Sequence, residues 1–155
     1  MYRRIVTALV LAGTIGAGTK SADPLQASGS MIGSWTCSYT MGGQTSAYTA
    51  VMSWALGGTW IRERDSSTGF SDEGLFTYNP GKHQWSFVVV DSTRTPTLFV
   101  ANGASSTHVV YHSVYPDASM TEIFDRVSPT KYTIHFTQTA GGKTTSSVDV
   151  CTKRT

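Results

Sequence analysis

Charge is scarce in this sequence. Asp, Glu, Lys and Arg make up 14% of its 155 residues. No run of Lys and Arg interleaves with aromatics, so the electrostatic footprint of a nucleic-acid binder is missing and no nucleic-acid partner is expected. Catalytic signatures are missing too. There is no Gly-x-Ser-x-Gly, no phosphate loop and no metal-spaced cluster, so no catalytic residue, cofactor or metal is assigned. His108 and His112 are four apart in "STHVVYHSVY", which reads as strand. There they share a face about 13 Å apart, too far for one ion. Long apolar runs are confined to residues 5–18, "IVTALVLAGTIGAG", behind Arg3 and Arg4. That run is short for a membrane span and has the layout of a secretory signal peptide.

The expected organisation is therefore a signal peptide over about 1–22, a linker over 23–32 and a domain over 33–155. The protein is expected to be secreted or periplasmic, with no membrane span after cleavage. Residues 1–22 hold Arg3, Arg4 and Lys20 and no acid. Without them, nine basic side chains face ten acidic ones. Only two cysteines exist, Cys37 and Cys151. In an oxidising compartment an even pair reads as a disulfide.

What the sequence does have is β-branched and aromatic residues in short runs, punctuated by turn chemistry. Strands are expected at about 33–40, 45–56, 59–65, 74–79, 84–91, 97–101, 107–113, 120–127, 131–138 and 145–153. The breaks include Gly42-Gly43, "NPGK" at 79–82, Asn102-Gly103 and "AGGK" at 140–143. Connections this short need antiparallel neighbours. The fold class is all-β, a single antiparallel up-and-down barrel of about ten strands. The cysteines favour closure, because first and last strands become neighbours only in a closed sheet. If Cys37 sits opposite Cys151, Trp35 falls opposite Lys153. The indole is then covered by a cation and closes one end.

"GSW" at 33–35, with a basic residue near the C-terminus, resembles the calycin arrangement of lipocalins, fatty-acid-binding proteins and nitrobindins. The longer run "GSWTC … YTAVMSWALGGTWIRE … YNPGKHQW … DS" is similar to an exported bacterial family of lipocalin-like proteins. That resemblance covers most of 31–153 and implies the fold, with no established activity. The sequence departs from fatty-acid-binding proteins at its end, where "CTKRT" stands in place of an Arg-x-Tyr pair.

Strand parity nominates a ligand-binding lumen of Trp54, Trp60, Arg62, Trp85, Phe87, Tyr111, Phe124, Arg126 and Tyr132. Arg62, if it shares an inner face with Trp60, needs a partner. Glu122 or a ligand carboxylate would serve, and Arg62 or Arg126 would anchor the polar end of an apolar molecule. His135, near where nitrobindins hold haem, alternates with Tyr132, Ile134 and Phe136 and is expected outside. Asp91, Glu122 and Asp125 are the carboxylates available for acid–base chemistry across the barrel. Two further readings stay open: an enzyme on a hydrophobic substrate, and a cell-envelope interaction or inhibitor protein with a filled barrel.

Overall fold

The structure, a computed structural model, describes residues 23–92, 95–117 and 119–155. The expected signal peptide lies outside these residues. Ten strands follow one another in chain order: β1 Gly33–Met41, β2 Gln44–Ala55, β3 Trp60–Ser67, β4 Phe70–Asn79, β5 Gln84–Asp91, β6 Thr97–Asn102, β7 His108–Tyr115, β8 Met120–Ser128, β9 Lys131–Ala140 and β10 Lys143–Lys153. Each pairs antiparallel with its neighbours, and β1 pairs with β10 to close the barrel. Gly42 and Gly43 both have positive φ, as do Gly141 and Gly142. Those conformations match two-residue hairpin turns whose twist suits the flanking strands.

Closure occurs in the expected register. Cys37 faces Cys151 and Trp35 faces Lys153. The two cysteines form a disulfide across a sequence separation of 114 residues. Trp35 is fully buried, and Lys153 Nζ lies 5.5 Å from its ring centroid.

The linker expectation for 23–32 is corrected. Pro24–Ala27 form a short helix, α1, and Ser28–Met31 a 3-10 turn. Asp23 caps α1 by accepting a hydrogen bond from the Leu25 amide at 2.9 Å. Pro24 suits the first helical position because its missing N–H would be unpaired there anyway. Leu25 and Met31 are buried in the core. Three donors fasten the segment as a plug. Trp35 Nε1 donates to Met31 O at 2.8 Å, Lys153 Nζ to Ser30 O at 2.7 Å and Arg126 Nη1 to Ala27 O at 2.9 Å.

Side-chain alternation along each strand puts one set inside. Near the plug this set is aromatic and dense. Trp35 and Tyr132 meet edge-on at 4.8 Å, Phe124 lies 5.5 Å from Tyr132, and Phe87 lies 5.7 Å from Tyr111.

Candidate functional site

On β3 the inner face is Ile61, Glu63 and Asp65. Ile61 and Glu63 are buried, and Asp65 lines the interior. This corrects the expected inner placement of Trp60 and Arg62, which alternate with those residues. Arg62 pairs outside with Glu73, Nε to Oε1 at 3.1 Å, and Arg64 shares the same carboxylate at 3.0 Å. A guanidinium needs a solvated or paired setting, and the outer rung supplies both.

Arg126 does not reach the lumen as a ligand anchor either. Its guanidinium holds Ala27 O, Ser30 Oγ and Ser106 Oγ at the plugged end. Trp54 shares the inward parity of β2 but lies at the plugged rim, 38% exposed. A Cβ on Gly29 would sit 3.5 Å from its ring. Asp125 faces His108 at 2.6 Å on the exposed side, apart from Glu122. His135 is exposed.

The remaining nominees converge. Trp85, Phe87, Tyr111, Phe124 and Tyr132 line a small hole of about 40 Å³ above the plug. Glu63, Phe87, Glu122 and Ile134 line both this hole and a larger chamber of about 570 Å³. The chamber opens at the end away from the plug, beside the β3–β4 turn, where Phe70 and Asp72 stand, and beside Pro116.

Its wall is acidic. Glu63, Asp65, Asp72, Asp91, Glu122 and Asp149 all line it, and among the described residues no Lys, Arg or His does. Asp65 pairs across the sheet with Asp72, and Asp72 with Asp91, so these three form one rung. Glu63 lies opposite Gly74, where a side chain would meet the Phe87 ring at 2.6 Å. Four tyrosines complete the polar set. Tyr48 Oη donates to Asp149 Oδ2 at 2.6 Å, and the Tyr132 hydroxyl acts to lower the Glu63 pKa against the burial that raises it. Tyr39 stands at the mouth and Tyr111 at the floor.

Burial under these conditions favours the protonated acid. Desolvation, with the charges of Glu122, Asp72 and Asp149 behind it, raises Glu63 to about 8. Desolvation and then Asp149, Asp72 and Asp65 raise Glu122 to about 8. Asp65 rises to about 9 through burial first and Glu63 second. Asp72 rises to about 6 through burial and then Asp91. Burial raises Asp149 as well, against the Tyr48 hydrogen bond. Tyr48, Tyr111 and Tyr132 are all raised, chiefly by burial.

Sequence reasoning named Glu122 and Asp91 but missed Glu63, Asp65, Asp72 and Asp149. The available signal was parity: Ile61, Glu63 and Asp65 alternate with Trp60, Arg62 and Arg64. The tryptophan drew attention to the wrong face.

Comparison with known proteins gives a fold and no more. No family model matches the chain, and no curated protein matches it. Among solved structures it is similar to the S-type phycobiliprotein lyase CPES from Guillardia theta, at 13% identity and a TM-score of 0.55. The match covers 84% of this chain and 92% of that one. With the closed ten-strand barrel, this places the chain in a calycin-like fold. No helix among the described residues is long and apolar enough to cross a membrane.

Proposed function

We propose that this protein is an exported carrier that binds one small, largely apolar molecule non-covalently inside the barrel. The observation that carries the reading is the chamber of about 570 Å³, sealed at one end by α1 and the 3-10 turn. Its size falls in the usual range for small-molecule sites, and its floor is apolar and aromatic. The leader-like residues 1–22 and the disulfide support export. The chamber weighs against the filled-barrel reading of an inhibitor protein.

Titration with N-phenyl-1-naphthylamine, a neutral apolar fluorophore, tests this. Saturable one-to-one enhancement is expected, weakened at least tenfold in Val89→Trp, which crowds the chamber wall. Enhancement that never saturates, or that Val89→Trp leaves unchanged, would sink the carrier reading.

A second reading is an enzyme acting on a hydrophobic substrate in the same chamber. It is favoured by Glu122 at the floor, where desolvation lifts the acid to about 8, a range suited to proton transfer near neutral pH. An extract of apolar metabolites incubated with the protein, then with Glu122→Gln, tests it by mass spectrometry. Identical product profiles would remove this reading.

A further inference from the structure

We infer that the chamber selects an organic cation: an amine whose apolar body rests among the floor aromatics and whose charged nitrogen lies between Glu63, Asp65 and Asp149. This rests on the carrier reading above and names its ligand class.

The chamber is a built cavity whose ionisable wall carries, among the described residues, carboxyl and tyrosine groups and no base. Glu63 is 9% exposed and reaches into it from the floor. Burial raises its pKa, the Tyr132 hydroxyl lowers it slightly, and among the described residues no Lys, Arg or His lines the chamber beside it. Asp65 Oδ1 is wholly removed from solvent and has no hydrogen-bond partner among the described residues. A buried carboxylate oxygen without a donor is costly, and a positive charge in the chamber that Asp65 lines would lower that cost. The described basic side chains nearest the barrel wall are engaged elsewhere. Arg62 and Arg64 bind Glu73 outside, and Arg126 and Lys153 hold the plug.

The cation is organic on two grounds. Among the described residues no three His, Cys, Asp or Glu side chains are grouped closely enough to hold a metal ion. The aromatic floor, with Phe87, Phe124 and Ile134, offers a bare ion nothing and an apolar body extensive contact. Anionic amphiphiles such as fatty acids are disfavoured, because among the described residues no Lys, Arg or His lines the chamber to receive their head group, and a further anion opposes ionisation of the acids there.

Every strand but β6 presents a titratable group or its tyrosine equivalent to this space: Tyr39, Tyr48, the six carboxylates, Tyr111 and Tyr132. An arriving cation favours their ionised forms, so binding releases protons.

The test uses three probes with one ring system: 2-(1-naphthyl)ethylamine, 2-(1-naphthyl)ethanol and 1-naphthylacetate. Calorimetry at pH 7.5, in buffers of different ionisation heat, reads both affinity and proton release. The amine is expected to bind at least tenfold tighter than the alcohol, with net proton release. The acetate is expected to bind more weakly than the alcohol. Glu63→Gln and, separately, Asp149→Asn should each shrink the amine's advantage over the alcohol severalfold, and a variant that keeps the full ratio counts against the inference. Equal binding of amine and alcohol overturns the cation inference and leaves the carrier reading standing. Tightest binding by the acetate overturns it as well. If none of the three binds, the carrier reading fails and takes this inference with it.

Discussion

Raising the pH should loosen this barrel, and Glu63 allows the size of the effect to be worked out. In the folded protein Glu63 titrates at about 8, against an ordinary value of 4.5. Between those values the native state keeps a proton that the unfolded chain has released. Stability therefore falls as pH rises, by about 1.4 kcal/mol per pH unit for one such group. Below about 4.5 both states are protonated and the effect vanishes. Above about 8 both are ionised and the loss is complete. Across the window the ceiling for Glu63 alone is about 5 kcal/mol. Asp65, Glu122 and Asp72 shift in the same direction. Their titrations are coupled, so the contributions do not simply add. A domain of this size has about 5–15 kcal/mol in total, so the change is large on that scale. Urea unfolding at pH 5, 6, 7, 8 and 9, followed by the fluorescence of the buried Trp35 and Trp85, measures it. Glu63→Gln keeps the shape, removes the titration and should give a flatter profile that gains on the wild type as pH rises. Stability that is constant or rising from pH 5 to 9, or a Glu63→Gln slope equal to the wild type, would refute the reasoning.

Two perturbations test the packing around the chamber. Gly74→Ala brings a Cβ to 2.6 Å from Phe87 Cε2. The ring must move, which costs about 1–3 kcal/mol and crowds the chamber. Denaturant unfolding and naphthyl-probe titration should show both losses, and a variant as stable and as tight as the wild type would contradict the ring's position. Reducing Cys37–Cys151 frees a loop of 114 residues. The chain-entropy model gives about 5 kcal/mol for a loop of that size. Melting with and without reductant should then differ by at least about 10 °C, and superimposed melts would remove the disulfide's role.

The fold was legible because its signals were local. Ten apolar runs and their Gly, Pro and Asn breaks recovered every strand, and two cysteines recovered the closure and the Trp35–Lys153 register. The chamber was not legible for the same reason. Residues 66–73, "SSTGFSDE", read as loop because they are polar, small and glycine-containing. They are in fact the end of β3, a turn and the start of β4. Local polarity argues for solvent, and a strand that turns its acids into a lumen defeats that inference. Arg62 and Glu63 pose the same problem in one dipeptide, because a charge sits on each face of the strand. Only the pairing of β3 with its neighbours decides which faces in. The plug failed differently. "PLQASGSM" is too short for any helical period, and its anchors, Arg126 and Lys153, lie about a hundred residues away.

Placing acids inside and cations outside runs against stability. Well-packed apolar residues at Glu63 and Glu122 would spare the barrel two desolvation penalties. Departures of this kind gather where function requires them. An occupant that brings the missing positive charge supplies the compensation. It binds the folded state alone, so it stabilises by mass action. It also favours ionised carboxylates, the form that weakens the empty barrel. Protection by 2-(1-naphthyl)ethylamine should therefore grow with pH across the window in which the free protein loses stability. Thermal melts at pH 5.5 and 8.0, with and without the amine at a fixed concentration, measure that growth. A shift in Tm at least twice as large at pH 8.0 is expected. Equal shifts at the two pH values would mean that the amine is held by its ring alone, and that the acidic wall plays no part in recognition.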